Sequence, residues 1–311
     1  MSPAAGSGRT LHLLTGCTAA GKTELALRWA ELHGAEIVSC DSLLFYRGMD
    51  IGTAKPSREE LRRVPHHLVD IRDVRDPMNA ATYASLAHAA ACAIAERGRP
   101  VLVVGGSGFY LKSFLAPVAD GVEVPDGVRS RVAALLETSG LPGAVELLRS
   151  LNPGGLGPLD LDNPRRVASA LGRCLASGRT LAELSEAFSR VVHPFAGWEV
   201  RLARVERPAA ELEERIRART EAMLGAGLVS EVSRLLEHGL LENPSAARAI
   251  GYRETIDVLQ GRAAPEGLAG AIRRDTRALV KKQRTWFRTQ LPAHPVLDAS
   301  GPEVLGRLFL R

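Results

Sequence analysis

Gly16-Cys17-Thr18-Ala19-Ala20-Gly21-Lys22-Thr23 follows the short apolar run Leu11-His12-Leu13-Leu14 and fits the pattern G-x-x-x-x-G-K-[ST]. Two glycines let the backbone curl so that successive N–H groups point at one anion. Lys22 adds a point charge, Thr23 offers a hydroxyl to Mg²⁺, and a helix starting near Lys22 turns its positive end to the same place. A strand before and a helix after are the context in which this pattern means a phosphate cradle rather than a chance run of small residues. The loop alone does not distinguish ATP, GTP and a plain diphosphate ester.

Working outward, the chain reads as a parallel α/β core. The first helix runs from about Lys22 to His33 and stops at Gly34, and Glu36-Ile37-Val38-Ser39 is the next strand, whose end delivers Asp41. In an open parallel sheet the ligand crevice lies outside the C-terminal strand ends, so Asp41 belongs beside the phosphate loop. Tyr46 to Lys55 is irregular and polar, as functional loops often are. Ser57 to Glu60 supplies a capping box, Pro65 to Asp70 leads into another strand, and Ala80 to Arg97 is an alanine-rich helix ended by Gly98. Val101 to Val104 is a fully apolar, buried strand. It ends in Gly105-Gly106-Ser107-Gly108, where a P-loop ATPase often carries an aspartate; glycine and serine instead suit close approach of a ligand, with Ser107 as a donor. His66 and His67, as neighbours on a strand, point to opposite faces and make poor joint metal ligands.

No strand pattern occurs between about 118 and 195, which reads as a small all-helical domain inserted into a core of residues 1–117 and 196–311. It contains helices at 128–137, 143–150, 163–176 and 180–187. The core resumes with a strand, Trp198 to Val205, then helices at 208–225 and 228–238 and a long one from about Pro265 to Thr289. On this last helix Ile272, Leu279 and Trp286 mark an apolar stripe, and Arg277, Lys281, Arg284 and Arg288 mark another. From Ile272 to Arg288 there are seven basic residues against one acid, Asp275. A charge run is ordinarily a solvated face, but so concentrated a cluster on a P-loop chain points to phosphate backbone, and RNA is the favoured partner.

With 311 residues, 45% of them hydrophobic, the chain can bury a full core. The net charge of +5 permits an acidic partner without proving one. The four cysteines, Cys17, Cys40, Cys92 and Cys174, show no C-x-x-C pair and argue against a disulfide framework or a zinc site. Cys17, inside the phosphate loop, is the thiol expected to be sensitive to oxidation. Met1 to Thr10 is small and polar and the apolar runs are strand-length, so neither a signal peptide nor a membrane span is expected, and the cytoplasm is the expected setting.

Four motifs together carry a family resemblance: Gly16 to Thr23; Asp41-Ser42 with Tyr46-Arg47-Gly48-Met49-Asp50-Ile51-Gly52-Thr53-Ala54-Lys55-Pro56; Gly105-Gly106-Ser107-Gly108-Phe109-Tyr110; and Lys281-Lys282-Gln283-Arg284-Thr285-Trp286-Phe287-Arg288. The second and fourth are far more diagnostic than the first. The sequence resembles the bacterial tRNA dimethylallyltransferases, also called isopentenyl-pyrophosphate transferases, along nearly its whole length. The resemblance implies an α/β fold with a P-loop nucleotide-kinase-like parallel sheet and an inserted all-helical domain that clasps the anticodon stem-loop. It also implies transfer of a dimethylallyl group from dimethylallyl diphosphate to N6 of adenine 37, by a monomer. Asp41, Ser107 and Lys22 would be catalytic, residues Gly16 to Thr23 would hold the diphosphate, and Thr23 would hold Mg²⁺. RNA contacts would come from Asp41-Ser42-Leu43-Leu44, Ser107, Arg129, Arg165-Arg166-Val167-Ala168-Ser169, Ala249-Ile250-Gly251-Tyr252-Arg253-Glu254 and Lys281 to Arg288. Cys17 and Ala20 stand where the family usually has proline and serine, and Ser107 replaces threonine but keeps the hydroxyl. Leu44, where glutamine is expected, and Ser169, where arginine is expected, weaken the carry-over of those two contacts.

The chemistry fits the residues. An exocyclic adenine amine is a poor nucleophile because its lone pair is delocalised, and Asp41 is placed to accept its proton. Backbone N–H groups and Lys22 would stabilise the departing diphosphate. Three rivals stay open at this stage. A P-loop small-molecule kinase explains the first 115 residues but not the basic helix. A nucleotide-switched RNA-binding protein explains the helix, but no N-K-x-D motif is present. A free-adenylate prenyltransferase has the chemistry but no need of an RNA platform.

Overall fold

The computed structural model describes residues 9–299 and 304–309, so the start of the polar N-terminal stretch Met1–Thr10 lies outside the described residues. The chain forms two compact units, Met1–Ala116 with Pro194–Arg311, and Pro117–His193. In chain order the first unit begins with β1 (Thr10–Gly16), α1 (Lys22–His33), β2 (Glu36–Ser39), α2 (Arg58–Arg63), β3 (His66–His67), α3 (Ala80–Glu96), β4 (Val101–Gly105) and α4 (Gly108–Lys112). The second unit holds α5 (Asp126–Ser150), α6 (Pro164–Ser177) and α7 (Leu181–Ser189). The first unit then resumes with β5 (Glu199–Glu206), α8 (Ala209–Gly225), α9 (Leu228–Glu237), α10 (Pro244–Ala247), α11 (Tyr252–Leu259), α12 (Leu268–Gln290), β6 (Val296–Asp298) and α13 (Val304–Arg307).

The six strands form one sheet in the order β3-β2-β4-β1-β5-β6, and every pairing is parallel. Because side chains alternate along a strand, each central strand feeds two cores. Leu11, Leu13, Val38, Val101 and Val103 point into a layer completed by Phe45, Tyr83, Ile216, Ile272 and Phe287. Leu14, Ile37 and Leu102 point the other way, against Leu27, Trp29 and Ala30 of α1. The helix ends follow local chemistry. Ser57 and Glu60 close a capping box on α2, as do Thr180 and Glu183 on α7, and Asn79 and Asn163 cap α3 and α6.

Several elements differ from expectation, the short helices α4, α10 and α11 among them. The strand near Pro65–Asp70 is only two residues long, because Leu68 and Asp70 sit at φ 64 and 55, where a strand cannot continue. The helices expected at 128–137 and 143–150 are the two arms of α5, broken at Gly140 by a non-helical φ/ψ of 64 and −170. Strand β6, too short to show periodicity, was not expected; it pairs parallel with β5 and ends the sheet. The paired histidines each meet a partner of their own: His66 Nδ1 lies 2.7 Å from the Val64 carbonyl, and His67 Nε2 lies 2.7 Å from Glu36 Oε2. Glu36 also holds Arg97, and this pairing keeps its carboxyl below the ordinary value despite burial. The second unit has its own core of Val132, Ala144, Leu148, Val167, Leu171, Cys174 and Leu184.

Candidate active site

The sheet order decides which loops meet. With β2, β4, β1 and β5 side by side, their C-terminal ends carry, in the same sequence, Asp41, Ser107, the phosphate loop and Arg207. Gly105 permits the first junction: a Cβ there would lie 1.9 Å from the Cys40 carbonyl oxygen, so only glycine lets the two strand ends close. The Ser42 N–H then donates to Ser107 Oγ at 3.0 Å, and the Leu43 N–H donates to Asp41 Oδ1 at 2.9 Å. The second Asp41 oxygen has no hydrogen-bond partner among the described residues. Its charge is felt by Lys22 and Arg219, whose ammonium and guanidinium it favours.

Within the phosphate loop Ala19 adopts φ 62, a left-handed turn that lets successive N–H groups converge. Lys22 Nζ donates to the Cys17 carbonyl at 2.7 Å. Burial pushes this ammonium down to about 8, against the pull of Asp41. Thr23 is exposed and its hydroxyl has no partner among the described residues, so it can face a ligand. Cys17 is not the reactive thiol expected. It is buried, and burial drives its pKa up, which disfavours the reactive thiolate.

Sequence reasoning missed the cations that brace this loop. Arg207, just before α8, donates from Nε to the Ala20 carbonyl at 2.9 Å, and Arg215 donates from Nε to the Ala19 carbonyl at 2.7 Å. Arg219 donates from Nη1 to Thr18 Oγ1 at 3.4 Å and from Nη2 to the Thr53 carbonyl at 3.1 Å. Glu211, Arg215 and Arg219 recur every four residues and so share one face of α8, but that spacing alone does not separate a bracing arginine from a solvated one. Burial lowers the Arg219 pKa, so its charge is held in a site where an anion would be welcome.

The basic helix α12 is partly structural. Gln283 accepts from the Thr18 N–H and donates to the Gly106 carbonyl, each at 3.0 Å, and so ties the phosphate loop to the loop after β4. Arg284 is turned inward, donating from Nη2 to the Arg207 carbonyl at 3.2 Å. Phe287 belongs to the core, and Trp286 packs beside it with ring centroids 6.0 Å apart. Lys281, Lys282, Thr285 and Arg288 are exposed.

Several residues expected to touch RNA are therefore corrected as side-chain contacts. Phe287, Val167, Gly251, Tyr252 and Glu254 are buried: Phe287, Val167 and Tyr252 lie on the packed faces of their helices, and Glu254 accepts from the Gly251 N–H at the start of α11, whereas the family resemblance marks whole segments and not faces. Arg253 is exposed but pairs with Glu254 and Asp275, each at 2.5 Å, and Ala249 and Ile250 are half-buried. In the helical unit Arg129, Arg165, Arg166 and Ser169 are exposed and Ala168 is half-buried. At the crevice Ser42 is exposed, while Leu43 and Leu44 are half-buried.

The Lys22 value sets a pH expectation. A bound diphosphate returns the proton that burial disfavours, so binding takes up about half a proton at pH 8 and approaches one at about pH 9. Calorimetry with pyrophosphate in buffers of different ionisation enthalpy measures this uptake, which Lys22→Met should lack. The same shift acts on stability. The folded state is penalised below pH 8, where Lys22 is charged in both states, and the penalty fades as pH rises through about 8 toward the unfolded value of 10.5.

The family model described as IPP transferase matches residues 44–290. The chain is 65% identical over 299 residues to a tRNA dimethylallyltransferase of Opitutus terrae, covering 96% of each sequence. It is 40% identical to one of Deinococcus radiodurans, again over 96% of each. Among solved structures, the full-length tRNA isopentenylpyrophosphate transferase of Bacillus halodurans superimposes with a TM-score of 0.67 at 29% identity, over 94% of this chain and 90% of that one. A eukaryotic dimethylallyltransferase captured acting on tRNA shares the fold, with a TM-score of 0.79 at 21% identity over 94% of this chain and 74% of the other. A match over most of the chain, relatives aligned nearly end to end and a parallel sheet that brings the phosphate loop to Asp41 agree: the chain belongs to the IPP transferase family and is an enzyme that transfers a dimethylallyl group to tRNA.

Proposed function

We propose that the donor is dimethylallyl diphosphate and the acceptor is N6 of adenine 37 in the anticodon stem-loop, with diphosphate released. The observation that carries this reading is the pairing, at the same edge of the sheet with the β4 end and its Ser107 between them, of a braced phosphate loop with a carboxylate, one oxygen of which has no hydrogen-bond partner among the described residues. N6 attacks C1 of the dimethylallyl group, and the C1–O bond breaks with its electron pair leaving on the diphosphate. The N6 proton passes to Asp41. Loop N–H groups, Lys22 and Arg219 stabilise the charge that builds on the leaving group. Ser107, fixed by the Ser42 N–H, offers its hydroxyl to the base, which must leave the RNA stack to reach the crevice.

Mg²⁺ fits this donor set. Among the described residues no group of three or more His, Cys, Asp or Glu side chains could cage a metal, whereas Mg²⁺ keeps much of its water and takes substrate phosphate oxygens with few protein ligands. Thr23 would supply the hydroxyl. The ion, when bound, neutralises charge on the diphosphate.

Lys281, Lys282 and Arg288, with Arg129, Arg165 and Arg166 of the helical unit, supply the phosphate contacts in this reading, and the enzyme acts as a monomer in the cytoplasm. Among the described residues no helix is long and apolar enough to cross a membrane, and all four cysteines are free. Lys281→Ala and Arg288→Ala are each expected to weaken tRNA binding and make its salt dependence shallower by about one unit of slope. Arg284→Ala should instead lower the melting temperature, since its guanidinium holds the Arg207 carbonyl. Filter binding across a salt series checks the first two, and a thermal melt checks the third.

Incubation with unmodified tRNA, dimethylallyl diphosphate and Mg²⁺, followed by mass analysis of nucleosides and of RNase fragments, tests the whole reading. The expected product is a single C5H8 gain on the adenosine 3′ of the anticodon. Transfer to free AMP in preference to tRNA, or stoichiometric release of ADP from ATP, would overturn it.

A further inference from the structure

Glu231, in the first turn of α9, is one of the few carboxylates in the first unit that is almost wholly buried, at 2% exposure, and the chemistry above makes no use of it. Its Oε2 accepts from the backbone N–H groups of Asp50 at 3.0 Å and Ile51 at 2.7 Å. Its Oε1 accepts from the Gly52 N–H at 3.1 Å and from the Tyr252 hydroxyl at 2.7 Å. Three consecutive backbone donors converge on one anion, which here is a side chain of the chain itself. Tyr252 closes over the same loop: a Cβ at Gly52 would lie 2.4 Å from its ring. The burial of a charged group is costly unless its acceptors are saturated, and here all four bonds are made.

The segment held in this way continues into Thr53. Its hydroxyl donates to the Met49 carbonyl at 2.7 Å, and its own carbonyl accepts from Arg219 Nη2 at 3.1 Å. The other arm of Arg219 reaches Thr18 of the phosphate loop. Glu231 therefore stands at one end of an unbroken chain of bonds that ends on the diphosphate cradle: carboxylate, backbone of Asp50–Gly52, Thr53 carbonyl, Arg219 guanidinium, Thr18. We propose that Glu231 is a positioning residue for the transfer, which fixes the Asp50–Thr53 loop so that the Thr53 carbonyl aims Arg219 at the diphosphate. This rests on the assignment of the cradle as the diphosphate site.

The test is a double-mutant cycle on pyrophosphate binding by calorimetry. Glu231→Gln keeps the shape but turns one acceptor into a donor facing backbone N–H groups, and should weaken pyrophosphate binding about tenfold, the loss of one well-aimed charged contact. Arg219→Ala should lose at least as much. The double variant should lose no more than Arg219→Ala alone, because Glu231 acts only through that guanidinium. A general loss of rigidity would not give this non-additivity. Wild-type affinity in a folded Glu231→Gln protein, or losses that simply add, overturns the proposal. If Glu231→Gln does not fold at the assay temperature, Glu231→Asp carries the same cycle; unfolding of both overturns positioning in favour of a purely architectural role. Unchanged binding in Arg219→Ala would overturn the cradle assignment together with the proposal, whereas loss in Arg219→Ala without loss in Glu231→Gln removes the proposal alone.

Discussion

Asp41→Asn should yield a folded protein that binds tRNA and dimethylallyl diphosphate but runs the chemical step about 10²- to 10⁴-fold more slowly, the usual contribution of a positioned general base. Asparagine preserves size, and its carbonyl oxygen can still accept from the Leu43 N–H, so the turn that aims the side chain survives. What disappears is basicity at the oxygen with no partner among the described residues. The competing role for Asp41 is to hold Mg²⁺ through water, as an acid at a strand end does in many P-loop enzymes. The two roles separate under metal titration in a single-turnover experiment. A base leaves the variant slow at saturating Mg²⁺ and both substrates; recovery toward the wild-type rate at high Mg²⁺ would assign Asp41 to the metal's surroundings instead. A second discriminator is electrostatic. Asp41 favours the charged form of Lys22, so its neutralisation should move the pyrophosphate-linked proton uptake to lower pH.

The sheet was legible because its strands carry strong local signals. Val101 to Val104 has apolar side chains on both faces, and β1 leads straight into the phosphate loop, so both position and direction could be read. The same holds for Asp41 and Ser107, which follow strand ends and need only the rule that ligands gather there. Two kinds of feature were not legible. Arg215 and Arg219 look like any solvated arginines of an amphipathic helix, and only the tertiary packing of α8 shows that their guanidiniums end on Ala19, Thr18 and Thr53. Conversely, Phe287 and Arg284 sit inside the most basic stretch of the sequence but face the core or the Arg207 carbonyl, because a helix docked by one side must bury whatever lies on that stripe. Motif reading located the functional helix but did not tell which face of it was free.

Lys22→Ala is expected to cut kcat/KM for dimethylallyl diphosphate by about 10²- to 10³-fold, the cost of removing one pre-aimed group from a site of developing negative charge. Two features of the free protein make the loss large. The ammonium is already held, by its bond to the Cys17 carbonyl, at the loop that receives the diphosphate, so little ordering remains to be done on binding. It is also poorly solvated, since burial disfavours its charged form, and a poorly solvated cation gains more from an arriving anion than one in bulk water. Lys22 touches none of the exposed basic residues of α12, so tRNA affinity in filter binding should stay within about twofold of wild type; a matching loss of tRNA affinity would mean that the substitution disturbs the fold around the loop and not the leaving group alone. The pH profile provides an independent check. Wild-type kcat/KM should decline as the free enzyme loses the Lys22 proton above about pH 8, and the Lys22→Ala profile should show no such limb. A decline that persists unchanged in the variant would assign the titration to another group and remove Lys22 from the stabilisation of the diphosphate.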